Sequence, residues 1–155
     1  MITITPHPFN AAEALEAFQK EARGAGAIVT FTGLVRDTAS DGDGTGLHLQ
    51  AYSPMTERGV EKAIAEARKR WPVTALRIIH RTGDMAPFDP IVFVAAASAH
   101  RRAAFEAADF LMDYLKTEAV FWKKELTPTG GRWIEPRAED YSDSARWSQT
   151  DTEKA

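Results

Sequence analysis

Residues 98–125, SAHRRAAFEAADFLMDYLKTEAVFWKKE, decide the fold. Ser98 is a candidate helix N-cap because it directly follows an apolar run. Apolar side chains then recur at spacings of three and four, which predicts a helix with a broad buried face. That face comprises Ala104, Phe105, Ala107, Ala108, Leu111, Met112 and Leu115. Residues 120–126 are predicted to form a strand, so the long helix leads almost directly into a sheet.

The length and composition are those of one globular domain. A chain of 155 residues suits a single core, and we expect one domain over residues 1–147 with a disordered tail over 148–155. No apolar run approaches the ~20 residues that a membrane helix needs. The N-terminus MITITPHPF lacks the charged start and apolar centre of a signal peptide. We therefore expect a cytoplasmic protein.

The residue types exclude several classes of site. The chain has no cysteine, so it has no disulfide, no thiolate metal site and no cysteine that carries sulfur. Its four histidines show no HxH or HExxH spacing, so we expect neither a metal nor another cofactor. The net charge of −3 argues against broad nucleic-acid binding. A local basic pocket remains compatible with that charge.

Working outward from the long helix, alternating and β-branched runs predict further strands, and helical spacings predict two more helices. Strands are expected at 2–5, 27–36, 47–52, 73–80, 91–97 and 132–135, with helices at 11–23 and 55–70. A last helical turn is expected within 139–147. Strand 47–52 should pair with strand 27–36 across the polar, glycine-rich loop 37–46. Because no regular βαβ rhythm is present, we expect an α+β fold with a mostly antiparallel sheet.

Two His-Arg pairs follow predicted strands, and each is a candidate anion site. His100-Arg101 also opens the long helix, whose N-terminal amide groups attract anions. His80-Arg81 lacks such a helix because Thr82-Gly83 predicts a turn. A purely structural role is the alternative for both pairs.

Lysines near the end of the long helix are the other basic candidates. Lys116 follows Asp113 by three residues, so it is either a functional cation or a surface lysine that pairs with that aspartate. Lys123 and Lys124 point to opposite faces of their strand, and at most one of them enters a given pocket. Lysines that protect an exposed strand edge are the alternative explanation for both.

Six motifs together resemble one known family. They are GAIVTFTGLVRD (26–37), YSPM (52–55), RWP (70–72), IIHRTG (78–83), the stretch 98–125 and RWIE (132–135). This set is similar to the large, catalytic subunit of molybdopterin synthase over about residues 26–147. The AHR-x-AAF and DYLKT-x-x-x-FWK-x-E patterns are long, which makes the resemblance specific.

The resemblance implies a sulfurtransferase of molybdenum-cofactor biosynthesis with an α/β-hammerhead-like fold. Such enzymes convert a cyclic pyranopterin monophosphate into molybdopterin, which carries a dithiolene. The sulfur arrives as the C-terminal thiocarboxylate of a small ubiquitin-like subunit that ends in Gly-Gly. A central homodimer of large subunits, with a small subunit at each end, makes a heterotetramer. A chain without cysteine fits an enzyme that never holds the sulfur itself.

The resemblance also implies which residues form the pocket. It implies catalysis by Lys116 and Lys123, and it implies that the neighbouring protomer supplies Arg137. The substrate-binding residues that it implies are Arg36, His100, Arg101, Lys116, Lys123 and Arg137. Arginine and histidine cations bind phosphate by charge-assisted hydrogen bonds. A lysine beside the thiocarboxylate can stabilise an oxyanion or move a proton, and the sequence leaves the division of these roles between the two lysines open.

Two other functions remain as alternatives. One is a non-catalytic anion-binding or protein-interaction domain of the same fold, which the presence of both lysines disfavours. The other is a nucleic-acid-binding α+β domain, which the acidic balance of the chain disfavours.

Overall fold

The computed structural model describes residues 1–39, 42–119 and 121–148. The helices in these residues are α1 (Ala11–Glu21), α2 (Met55–Arg70), α3 (Arg101–Thr117) and α4 (Ala138–Ala145). The strands are β1 (Ile2–Thr5), β2 (Ala27–Leu34), β3 (Thr38–Ala39), β4 (Gly42–Asp43), β5 (Gly46–Ala51), β6 (Val73–Arg81), β7 (Gly83–Met85), β8 (Pro90–Ser98), β9 (Phe121–Thr127) and β10 (Gly130–Ile134).

The first sheet has the strand order β1-β6-β8-β2 and is covered by helices on both faces. β1 runs parallel to β6, whereas β6 and β2 are both antiparallel to β8. β2 forms an edge with no second strand partner in the described part of the chain. α2 and α3 pack on one face and α1 on the other, through a core that includes Phe18, Val60, Ile78, Phe93, Val94 and Leu111. Each large apolar side chain buried there stabilises the fold by ~1.5–3 kcal/mol.

The second sheet has the order β10-β9-β5-β7 and is antiparallel throughout. Its buried side chains are Leu47, Leu49 and Met85, which pack with Val35 just beyond β2. Phe121 packs against this cluster and against the main core, so β9 joins the two sheets. The predicted α+β class with mostly antiparallel strands is confirmed.

The predicted pairing of strand 47–52 with strand 27–36 is wrong. β5 pairs with β7 and β9, while β2 pairs with β8 alone. One cause is Gly46, where an added Cβ would lie 2.3 Å from the carbonyl oxygen of Met85, so only glycine permits β5 to approach β7 this closely. The intervening loop folds into the short pair β3–β4, and residues 40 and 41 lie outside the described residues.

Ser98 is not the N-cap of α3, contrary to the prediction. It remains in β8, where it is paired with both Ala27 and Val73, and its hydroxyl donates to the carbonyl of Pro72 at 2.8 Å. The strand therefore continues to Ser98, and the N-cap is His100, whose side chain makes no capping hydrogen bond.

The chain after β10 returns to the helical layer through α4. Trp147, just beyond α4, packs its ring against Trp71 and Phe110. The predicted last helical turn is present, whereas residues 149–155 of the predicted disordered tail lie outside the described residues. No helix in the described ranges is long and apolar enough to span a membrane.

Candidate active site

Lys116 lies exposed in the last turn of α3. Its expected partner Asp113 is already engaged, because the Asp113 carboxylate accepts hydrogen bonds from Arg146 at 2.8 Å and from the Trp147 indole at 2.6 Å. No described residue forms an ion pair with Lys116. The alternative of a surface lysine paired with Asp113 is therefore absent from this part of the structure.

Lys123 lies half-buried on β9, on the same face as Phe121 and Glu125. Burial lowers the pKa of Lys123, and the positive charges of Lys116 and Arg36 lower it further. The carboxylates of Glu125 and Asp140 act in the opposite direction but do not cancel the shift. The structure therefore brings three of the predicted site residues, Arg36, Lys116 and Lys123, into one cluster, which we call the cation cluster.

A cavity of ≈ 60 Å³ opens beside the cation cluster. Arg36 reaches it because Val35 turns into the core and its amide donates to the carbonyl of Asp89 at 2.9 Å, which leaves the next residue at the surface. Lys124 and Trp122 point to the other face of β9, so Lys123 is the lysine that enters the pocket. The lining residues are Leu34, Val35, Arg36, Gly44, Gly46, Leu47, Ile91, Lys123 and Glu125.

His80 also lies in the region of the cation cluster, and the sequence analysis did not predict this position. Its ring is buried and stacks on Phe121, with ring centroids 4.0 Å apart and planes 17° apart. Burial lowers the pKa of His80 to about 4, and the charges of Lys116 and Lys123 contribute. Period-two alternation in β6, which places His80 with Leu76 and Ile78, was the signal that it faces α3.

The anion site considered for His80-Arg81 is not formed. The two side chains point to opposite faces of β6. Arg81 is instead buried in an ion pair with Asp89 at 3.0 Å and donates to the carbonyl of Asp84. Arg81 therefore has the purely structural role that was the alternative to an anion site.

His100 and Arg101 lie at the opposite end of α3 from Lys116. They line an open depression of ≈ 490 Å³ together with Gly26, Ala27, Ala99 and Arg102. α3 has 17 residues, and at ~1.5 Å per residue it is ~25 Å long. One chain therefore does not bring His100 and Arg101 to the cation cluster.

Arg137 follows β10, the strand that pairs with β9. It stands three residues beyond Ile134, the strand partner of Lys123. As the N-cap of α4 it lies next to Asp140 at 3.6 Å, and Asp140 is one of the carboxylates that raise the pKa of Lys123. The resemblance implies that Arg137 serves the pocket of the neighbouring protomer, and this stays a prediction.

No three His, Asp or Glu side chains within residues 1–39, 42–119 and 121–148 are grouped so that they can hold a metal ion. The basic residues just described are thus the chemically distinctive groups of the site, and they suit anionic ligands.

Comparison with known proteins identifies the family. The family model described as MoaE protein matches residues 4–118. A molybdopterin synthase catalytic subunit from Pseudomonas aeruginosa is 46% identical over 148 residues, which cover 96% of this chain and 99% of that protein. The chain therefore belongs to the MoaE protein family, as its motifs predict, and it is an enzyme of that family.

Solved structures agree with this assignment. The molybdopterin biosynthesis MoaE protein from Burkholderia ambifaria has a TM-score of 0.80 and 42% identity, over 96% of this chain and 97% of that one. Molybdopterin synthase from Staphylococcus aureus has a TM-score of 0.77 and 29% identity, over 85% of this chain and 95% of that one.

Proposed function

We propose that this enzyme is the catalytic subunit of a molybdopterin synthase. It transfers sulfur from the C-terminal thiocarboxylate of a small ubiquitin-like protein ending in Gly-Gly to a cyclic pyranopterin monophosphate, making the dithiolene of molybdopterin. The observation that carries this proposal is the cation cluster, in which Lys123 is half-buried beside Lys116 and Arg36. Both reactants are anions, and this is the charge that such a cluster attracts.

The arrangement of the cluster costs stability, which supports a functional origin. Like charges repel, and burial removes water from Lys123, so its ammonium form is disfavoured in the folded chain. Within the described residues, no carboxylate approaches Lys116 or Lys123 closely enough for an ion pair. Perturbed ionisable groups beside a cavity are typical of catalytic sites. A thiocarboxylate and a phosphate can supply the missing negative charge.

The chemistry gives each lysine a task. When the thiocarboxylate sulfur attacks a substrate carbon, a C–S bond forms and a C–O bond of that carbon breaks, so its oxygen leaves as phosphate or, after protonation, as water. A thioester then joins the two molecules. Water then cleaves the acyl–sulfur bond, which releases the small protein as a carboxylate through an oxyanion. Charged Lys116 can stabilise that oxyanion. Lys123, whose lowered pKa makes its neutral form more accessible, can take up a proton.

A second copy of the chain completes the anion site. His100 and Arg101 are separated from the cation cluster by the length of α3, and Ala27 and Leu34 mark the two ends of β2. If the open edge of β2 pairs antiparallel with β2 of another copy, the start of one strand meets the end of the other. His100 and Arg101 of the partner then lie beside the cation cluster.

The surface along this edge is suited to such pairing. Phe31, Leu34 and Phe105 are 43%, 50% and 54% exposed, and an apolar open edge favours pairing with another strand. Phe105 shares one flank of α3 with Arg101 and Lys116, because the spacings are four and eleven residues. Phe110 on the opposite flank meets Trp71 at the end of α2, so the flank with Phe105 faces away from α2.

The test is reconstitution with the small protein in its thiocarboxylate form and the pyranopterin substrate. We expect a dithiolene product, and an anion-binding domain without activity would bind both partners and make none. Arg36→Ala should weaken binding of the full substrate by ~1.5–3 kcal/mol, the contribution of a charged hydrogen bond. The same variant should bind an analogue without phosphate as the unmodified chain does, and an equal loss for both ligands would show that Arg36 does not bind the phosphate.

A further inference from the structure

We propose that Phe88 binds a second copy of this chain: its ring packs into the depression at the start of α3 of the other copy and positions Arg101 there. This inference rests on the pairing of two β2 edges proposed above. Phe88 is distinguished from the other exposed apolar residues by its backbone.

Phe88 has a left-handed backbone conformation, with a φ of 72°, although it is not glycine. It occupies the third position of a turn that Asp89 closes by donating its amide to the carbonyl of Ala86 at 3.1 Å. Pro87 suits the second position of such a turn, whereas the third position requires a positive φ and is usually glycine or asparagine. A bulky residue at that position is strained.

The surrounding contacts fix this turn but leave the Phe88 ring at the surface. The Phe88 amide donates to the carbonyl of Val35 at 2.7 Å, and the Asp89 carboxylate accepts from the Ala86 amide at 2.9 Å. The same carboxylate is held by the buried Arg81. The ring is 68% exposed and stacks on no other ring in the described part of the chain. A strained backbone that presents an exposed aromatic ring is typical of a binding residue.

The position of Phe88 indicates a second copy as its partner. Phe88 lies beside Val35, just beyond the end of β2, so it extends the open edge that carries the exposed Leu34. A second copy that pairs its β2 antiparallel to this edge brings the start of its own β2 to this end. That start, at Ala27, borders the depression of ≈ 490 Å³ that includes Arg101. Twofold symmetry then produces the same contact twice.

This contact cannot form within one chain. Phe88 precedes Pro90, the first residue of β8, and Arg101 follows Ser98, the last residue of β8. Because β8 has nine residues with a rise of ~3.3 Å each, it separates the two side chains by ~25–30 Å. The depression that the Phe88 ring can enter is therefore the one of the other copy.

An aromatic ring suits the cations that line the depression. The face of a ring attracts a guanidinium that lies within ~6 Å of the ring centroid. A guanidinium stacked in this way keeps the N–H groups of its edge free to donate to a phosphate. Phe88 thus positions Arg101 of the other copy without neutralising its charge, as a carboxylate would.

The first experiment maps the contact by photo-cross-linking. The photoreactive amino acid p-benzoylphenylalanine replaces Phe88 in the full chain, and the chain is irradiated alone before mass spectrometry of its cross-linked peptides. We expect dimer-sized products in which the second peptide is joined within residues 26–27 or 99–102. Products joined elsewhere, or no product from a chain that sediments as a dimer, would overturn the contact. A chain that sediments as a monomer would overturn both the contact and the pairing of β2.

The second experiment compares variants of Phe88 by sedimentation. Phe88→Gly removes the ring and suits the positive φ, so it should fold at least as well as the unmodified chain, which urea unfolding checks. The dissociation constant of its homodimer should nevertheless rise about tenfold or more, and Phe88→Tyr should restore it. Met55→Ala is the control, because Met55 is exposed on α2, which lies over β1 and β6 and away from the β2 edge.

The third experiment measures sulfur transfer at a protein concentration that keeps every variant dimeric. In Phe88→Gly we expect KM for the pyranopterin to rise about tenfold with kcat nearly unchanged, because a substrate-binding group is displaced, and Phe88→Tyr should recover the KM. If no variant transfers sulfur, the proposed function fails, and the cross-link and the dissociation constant still decide the role of Phe88. A dissociation constant or a KM that stays unchanged in Phe88→Gly would overturn the proposal.

Discussion

The guanidinium of Arg146 donates to the carboxylate of Asp113 at 2.8 Å, and this contact ties the end of α4 to α3. The Trp147 indole donates to the same carboxylate oxygen at 2.6 Å. Asp113 is thus a structural acceptor, although it precedes Lys116 by the spacing of a helix ion pair. Lys116 is left to the cation cluster, and its contribution to stability and to activity can be separated by experiment.

Replacing Lys116 should affect activity far more than folding. Lys116→Ala removes an exposed side chain without a described ion pair, so the free energy of unfolding should change by less than ~0.5 kcal/mol. Sulfur transfer should fall about a hundredfold or more, the range seen when one oxyanion donor is removed.

The matched control is Lys62→Ala, an exposed lysine on α2 far from the cluster. It should change neither the urea midpoint nor the rate of dithiolene formation. If Lys116→Ala turned over as fast as Lys62→Ala, Lys116 would be an ordinary surface lysine.

Replacing Lys123 by an apolar residue of similar length should stabilise the fold. Lys123→Met removes a half-buried charge that Lys116 and Arg36 repel, so we expect a gain of about 1 kcal/mol. For a chain of this size that raises Tm by roughly 2–4 °C. Lys62→Met is the comparison, and a lower Tm for Lys123→Met than for Lys62→Met would contradict the repulsion described here.

Stability should decrease as the pH is lowered, because of His80. The unfolded chain protonates this residue near pH 6.5, whereas the folded chain does so near pH 4. Between these values the unfolded chain binds more protons, so lowering the pH through this range favours unfolding. The contribution is fully present above pH 6.5 and amounts to roughly 3 kcal/mol.

Urea unfolding of His80→Phe, measured at several pH values from 7 to 4, isolates this contribution from that of the carboxylates. The variant should lose less stability than the unmodified chain over the same range. Parallel curves for the two proteins would mean that His80 is protonated at its ordinary pH in the folded state.

Mixing two inactive variants tests whether the site is shared. When Arg101→Ala and Lys116→Ala proteins exchange subunits, half of the dimers are mixed, and each mixed dimer holds one complete pocket out of two. The mixture should therefore show about a quarter of the unmodified rate. The same gain is expected for Arg137→Ala mixed with Lys116→Ala, because the resemblance to the family implies that Arg137 reaches the pocket of the neighbouring protomer. A fully active monomer, or confirmed exchange without activity for the Arg101 pair, would show that the pocket belongs to one chain.

Helices and strands whose own hydrophobic periodicity reflects their burial could be predicted from the sequence. The buried stripe of α3, the apolar run of β8 and the helix α2 have periodicities that report their own environment. The pairing of β5 was not predictable, because it depends on the close approach of Gly46 to Met85, a contact between residues far apart in the sequence. Ser98 failed as an N-cap because two neighbouring strands extend β8 to that residue.

The site was predictable in type but not in grouping. The motifs identified Arg36, Lys116 and Lys123, and the structure brings these three together. The motifs did not reveal that the length of α3 separates His100 and Arg101 from these three residues. A motif reports which residues are present and not how far apart they lie in space. The contribution of His80 depends on its stack with Phe121, which is a tertiary contact.

We propose above all that sulfur passes from a partner thiocarboxylate to the pyranopterin without residing on this chain. The direct measurement is a single-turnover reaction with ³⁴S in the thiocarboxylate, followed by mass spectrometry of the product and of the intact enzyme. We predict that the dithiolene carries ³⁴S at both positions and that the mass of the enzyme stays unchanged throughout. A covalent ³⁴S adduct on the enzyme, or a product without the label, would contradict the account.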